Sequence, residues 1–171
     1  LFRAASTKSV EVGDEVIIWR IAFCLCMMAG PALAAPAQCP IREVHNEGDY
    51  LIFGGYKIHL LNPDGQGDPG NPPVWQGMTI TTPSGAVCTA EIGIIEPPFF
   101  LAGSHYLYID TYSGSEHIQG ALNVDNCDLP WASQQYIGPP KLVGGNEFIY
   151  DEAKPVEIGP DCLPIRKSGG S

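Results

Sequence analysis

A chain of 171 residues is long enough for one domain with a sizeable core, and its formal net charge of −10, nine Lys and Arg against nineteen Asp and Glu, leaves no basic footprint for nucleic acid or an anionic membrane. Twenty Gly and sixteen Pro, with no long run of Ala, Leu, Glu and Lys at helical spacing, exclude a helical bundle and favour short strands joined by many turns.

Residues 1–15 lack periodicity and read as a non-native or disordered leader. Residues 16–37 read as a secretory signal peptide: Arg20 precedes an apolar run, Gly30-Pro31 breaks it, and small residues follow at Ala32 and Ala34 or at Ala35 and Ala37. The apolar run falls short of the ~20 residues a bilayer needs and carries Arg20 and Pro31, so no stable membrane insertion is expected after cleavage. The expected compartment is periplasmic or extracellular. A single all-β domain is expected over 38–163, with a disordered tail over 164–171.

Loss of the signal segment removes Cys24 and Cys26 and leaves Cys39, Cys88, Cys127 and Cys162, an even number suited to two disulfides in an oxidising compartment. None of these has the CxxC spacing of a zinc or redox site, and no metal or cofactor is expected. Four cysteines allow three connectivities. In a simple meander, Cys88 and Cys127 stand at opposite ends of two parallel strands flanking a central one, which favours Cys39 with Cys88 and Cys127 with Cys162.

Residues 50–54 and 56–61 read as two short strands around Gly54-Gly55. Residues 62–73, NPDGQGDPGNPP, form the longest loop. Its Asn62, Asp64, Gln66 and Asp68 copy the first ligand positions of an EF-hand loop, with Gly67 at the turn, but Pro73 stands where the bidentate Glu belongs, so calcium is not expected. A strand over 77–82 turns at Pro83-Ser84-Gly85 into one over 86–95. Glu96-Pro97-Pro98 reads as its end, and 99–101 as an apolar link.

The strongest pattern lies over 104–127. Ser113-Gly114 reads as a two-residue hairpin loop pairing Tyr112 with Ser115, Ile109 with Ile118 and Asp110 with His117. One face then carries Leu107, Ile109, Ile118, Leu122 and Val124, and the other Tyr106, Tyr108, Asp110, Tyr112, His117 and Gln119. Beyond Cys127 the pattern predicts short strands around 135–137 and 147–150, separated by Pro139-Pro140 and a Gly144-Gly145 turn. The expected fold is all-β: a small antiparallel meander of about four central strands forming a sandwich or partial barrel, stapled by disulfides, with little helix outside the signal segment.

For function, Tyr106, Tyr108, Asp110, Tyr112 and His117 form the candidate binding face, since aromatic area with hydrogen-bonding tips suits an unknown protein or carbohydrate partner. The same face would instead be covered if the hairpin lay inside a sandwich. The leading expectation is a non-enzymatic binding module. The alternative is a secreted hydrolase that uses Glu91 and Asp110 as paired carboxylates with His117.

Overall fold

The computed structural model describes residues 38–64, 73–151 and 153–165. The leader and signal segment, the EF-hand-like positions Gln66, Gly67 and Asp68, and residues 166–171 lie outside the described residues. Within them the fold is all-β: β1 (Ile41–Val44), β2 (Tyr50–Phe53), β3 (Tyr56–Leu60), β4 (Trp75–Thr81), β5 (Val87–Ala102), β6 (Tyr106–Ser113), β7 (Glu116–Asn123), β8 (Trp131–Ala132), β9 (Ile137–Val143), β10 (Glu147–Asp151) and β11 (Val156–Glu157). Strands β2 to β8 follow one another as antiparallel neighbours in one sheet, to which β1 adds by pairing with the end of β5, and a second sheet has the order β11-β10-β9.

Alternation sets the faces of the first sheet. In β3, Tyr56, Ile58 and Leu60 are buried while Lys57 and His59 are exposed, as a period of two requires. The inward rows of β1 to β7 meet in one core built from Leu51, Ile58, Leu60, Trp75, Met78, Ile80, Ile95, Phe99, Leu101, Leu107, Ile109 and Leu122. Each such side chain, fully buried, stabilises the fold by roughly 1.5–3 kcal/mol.

A flat sheet could not bring these residues together, and β5 is where the sheet folds over. Its first half pairs with β4 and its second with β1 and β6, and the register shifts between Glu96 and Phe100 around Pro97-Pro98. The inward parity changes just before that point, from Ala90 and Ile92 to Ile95, Phe99 and Leu101, beside the register shift between Gln76 and Met78 on β4. Glu96-Pro97-Pro98 therefore does not end the strand, and 99–101 is strand rather than link. Pro lacks only its N–H, and a bulge is where a sheet tolerates that loss.

The fold-over corrects the expected disulfides. Cys39 bonds Cys162, with Cα atoms 5.2 Å apart, and Cys88 bonds Cys127, with Cα atoms 5.9 Å apart. β5 and β7 do run parallel about β6, and in a flat sheet the two ends of the 16-residue β5 would stand roughly 50 Å apart. The bend instead lays the layer of β2, β3, β4 and early β5 over the layer of late β5, β6 and β7. Tyr56 at the start of β3 consequently donates its hydroxyl to Asp125 beyond β7, at 2.5 Å.

The β6–β7 hairpin forms with the expected faces but a different register. Ser113 pairs with Glu116, Tyr112 with His117, Asp110 with Gln119 and Ile109 with Gly120. The loop is Gly114-Ser115 because Gly114, at φ 71°, supplies the positive φ that a type II′ turn requires at its first central position. Each partner moves by two residues, which preserves the parity.

The other face of the hairpin is covered as well. Residues after β8 stay beside β7, with Tyr136 exchanging backbone hydrogen bonds with His117, and then leave for the second sheet as β9. There Phe148, Tyr150 and Ile158 pack with Phe100, Tyr108, Ala121 and Tyr136 in a second core. At its edge, β9 carries Pro139 and Pro140, which cannot donate to another strand. Of the expected tail, Pro164 bridges Ile158 and Ile165 donates its N–H to the Glu157 carbonyl. No helix among the described residues is long and apolar enough to cross a membrane.

Candidate functional site

On the hairpin face that meets the second sheet, three successive rungs run across β5, β6 and β7. The first, Phe100–Tyr108–Ala121, is apolar and lies beneath Phe148, whose ring centroid is 5.0 Å from that of Tyr108. The second is Glu96–Asp110–Gln119, and the third, nearest the hairpin tip, is Ile94–Tyr112–His117. The face therefore grades from a packed aromatic core to a polar end.

The structure separates the expected binding residues. Tyr108 is fully buried and donates its hydroxyl to the Cys162 carbonyl at 2.9 Å. Asp110 is fully buried and His117 nearly so, while Tyr106 and Tyr112 are half-buried. An open tyrosine surface does not exist, because the second sheet lies over its centre. The hydrophobic effect explains the cover: tyrosine rings bring much apolar area, and their hydroxyls find partners inside.

Asp110 is the centre of the polar end. Its Oδ1 accepts a hydrogen bond from the Tyr136 hydroxyl at 2.6 Å, and its Oδ2 lies 2.8 Å from His117 Nδ1. That contact is diagonal, since the partner opposite His117 is Tyr112. Glu96 Oε1 stands 3.6 Å from the same Nδ1. The His117 ring stacks between Tyr112 and Tyr136, at centroid distances of 5.6 and 5.8 Å. Tyr150 completes the layer by donating to Gln119 Oε1 at 2.7 Å, which leaves Gln119 Nε2 buried without a partner.

Burial dominates the electrostatics. It pushes the Asp110 carboxyl above the usual carboxylate range, although the hydrogen bonds from Tyr136 and His117 pull the other way. Burial also raises Glu96, helped by the Asp110 charge and opposed by His117. The Tyr136 and Tyr150 phenols are pushed far above their ordinary value, first by burial, and remain protonated donors.

Glu91, the expected partner carboxylate, is exposed on β5 before the bend and takes no part. Glu96 takes its place because the parity change turns it toward Asp110, its direct cross-strand partner. The only trace of this in the sequence is a carboxylate before Pro97-Pro98, which reads as a strand end. Tyr136 was equally hidden, because it stands just before β9 and reaches His117 through an isolated bridge.

Two shallow clefts flank the cluster. One of about 270 Å³ is lined by Ser115, Glu116, Gln135, Tyr136 and Ile137. The other, of about 220 Å³, lies beside Trp131, Ser133, Tyr150 and Lys154. Each shares one tyrosine with the polar layer, and neither is lined by Glu96, Asp110 or His117. Chemically, the arrangement offers one imidazole nitrogen and two carboxylates at a rim, where the side chains of Glu96 and His117 retain 17% and 11% of their exposure. No family model matches the chain, and no curated protein matches it in sequence, so the site is read from its own chemistry.

Proposed function

We propose that the protein is a non-enzymatic binding module of a periplasmic or extracellular compartment, and that it binds at the polar end formed by Glu96, Asp110, Tyr112, His117 and Tyr136. The observation that carries this reading is the burial of Asp110 beside a second carboxylate and a histidine at a rim that solvent reaches. Desolvating such groups costs several kcal/mol per ion, and apolar residues of similar volume would pack the same space without that cost. Desolvated ionisable groups with specific charge partners at a solvent-reached rim are the setting in which functional sites are built. Two disulfides are compatible with an oxidising compartment.

A hydrolase built on Asp110 and His117 is the weaker reading. Its carboxylates have raised proton affinity, as general acids need, but they line neither cleft, and a scissile bond must come within hydrogen-bond reach of them. The half-buried Tyr112 ring and the exposed Ile137 extend the rim for a protein or carbohydrate group.

The test is amide and aromatic NMR of labelled protein titrated with a panel of oligosaccharides, peptides and metal salts. A ligand is expected to move Tyr112, His117 and Tyr136 resonances, and to bind roughly tenfold more weakly to Glu96→Gln, as loss of one charged contact would cause. Ligands that move only residues elsewhere would remove the site from the proposal. Hydrolysis of chromogenic glycosides or esters that disappears in Asp110→Asn would replace the binding reading with the enzymatic one.

A further inference from the structure

We infer that Glu96, Asp110 and His117 form a site for a divalent first-row transition cation; this rests on the reading of the polar end as the binding site and names its ligand. Among the described residues these three offer one ligand atom each, all within 4.8 Å of one another. His117 Nδ1 stands 2.8 Å from Asp110 Oδ2 and 3.6 Å from Glu96 Oε1. Ligands about 2.0–2.2 Å from a tetrahedral zinc ion are separated by roughly 3–3.5 Å, so an ion enters with side-chain shifts below about 1 Å. One imidazole with two carboxylates is a borderline donor set that takes zinc ahead of calcium or magnesium. Three protein ligands leave a fourth position for water or a partner's group.

The surroundings are built as an outer shell. Asp110 Oδ1 is held by the Tyr136 hydroxyl, which orients the carboxylate and leaves Oδ2 on the side of His117. Gln119, directly opposite Asp110 on the same face and fully buried, has an Nε2 with no partner. Cross-strand neighbours on one face have Cβ atoms about 5 Å apart, so this unpartnered donor belongs to the same buried layer as Asp110. The two carboxylates also share a single imidazole partner, His117, among the described residues. A divalent ion neutralises both. Its route is the rim, where Glu96 and His117 keep part of their exposure.

The experiment is calorimetric titration of the full, disulfide-intact chain with zinc chloride after chelator treatment, alongside Glu96→Gln, His117→Gln and His105→Gln. His105 belongs to a second, exposed histidine–carboxylate pair and serves as the control. One equivalent is expected to bind, with affinity at least about tenfold weaker in Glu96→Gln and His117→Gln and unchanged in His105→Gln. Circular dichroism keeps the comparison to folded variants. Should His117→Gln fail to fold, the rim variant Glu96→Gln decides. Absence of zinc binding at ligand concentrations of about 100 μM, or binding that survives Glu96→Gln and vanishes in His105→Gln, would overturn the inference. If sugars or peptides still move Tyr112 and His117, the binding reading survives the loss of the metal. If no ligand moves them, both fall.

Discussion

The molecule contains the same three-residue arrangement twice, in opposite settings. At the open end of the first sheet, Asp125 accepts from the Tyr56 hydroxyl at 2.5 Å and lies 2.7 Å from His105 Nδ1. Between the sheets, Asp110 accepts from the Tyr136 hydroxyl at 2.6 Å and lies 2.8 Å from His117 Nδ1. The hydrogen bonds are nearly identical, and the carboxylates respond in opposite directions. Asp125, with 45% of its side chain exposed, is held below the usual carboxylate range first by the Tyr56 hydrogen bond. Asp110, with none exposed, is pushed above it by burial. Donors stabilise a carboxylate only against what it has lost from water, and Asp110 has lost more than two donors return. The exposed triad is a clasp that closes β3 over the end of β7, whereas the buried one carries a desolvation cost.

The sharpest break of this contrast is deletion of each carboxylate. Asp110→Ala strands the Tyr136 hydroxyl and the His117 ring inside the protein and should cost about 3–5 kcal/mol, against at most ~1 kcal/mol for Asp125→Ala, measured by urea unfolding. Equal losses would mean that cover by the second sheet does not distinguish the two sites.

The cover itself is tested one rung away. Tyr108→Ala, on the face beneath Phe148, should cost about 3–5 kcal/mol, and Ile109→Ala, on the opposite face, about 2–4 kcal/mol. A loss below ~0.5 kcal/mol at Tyr108 would uncover the tyrosine face and return it as a binding surface.

Removing one hydroxyl is a smaller change. Tyr136→Phe leaves a buried carboxylate oxygen without its donor and should cost about 1.5–3 kcal/mol, while Tyr56→Phe lets water replace the donor at Asp125 and should cost ~1 kcal/mol or less. Thermal unfolding of the two variants side by side separates them.

The smallest effect is in pH dependence, and its sign differs between the sites. The folded-state values of Asp110 and Glu96 are raised, so their contribution to stability is fully present below the ordinary carboxylate pKa of about 4 and is lost as pH rises through the raised values. The value of Asp125 is lowered, so its contribution is present above about pH 4 and is lost as pH falls through the lowered value. Asp110→Asn should therefore make stability rise more steeply, or fall less, as pH rises above about 4, whereas Asp125→Asn should flatten the acid limb below about pH 4. Unfolding midpoints across these ranges that moved the same way in both variants would contradict the assignment.

Much of the hairpin was legible because alternation belongs to adjacent residues. Leu107 and Ile109 against Tyr108 and Asp110 state two faces whatever lies around them, and the parity survived even though the turn is Gly114-Ser115. Turn placement was less legible, since Ser-Gly and Gly-Ser both suit two-residue loops and only the φ of Gly114 chooses between them. The candidate site was half legible: Asp110 and His117 stand on one face by counting, whereas Glu96 and Tyr136 arrive through a bend and an isolated bridge that no local period announces.

By itself the sequence determined an antiparallel all-β chain, the division of each strand into inward and outward rows, and four cysteines in the described region, because composition, turn residues and period-two spacing act over a few residues. Tertiary structure alone decided that Cys88 meets Cys127, that Glu96 rather than Glu91 joins Asp110, and that Tyr108 is core. Those outcomes depend on where β5 folds over and on which sheet comes to lie on the hairpin, contacts between residues far apart in the chain that form only when the whole apolar surface is buried together.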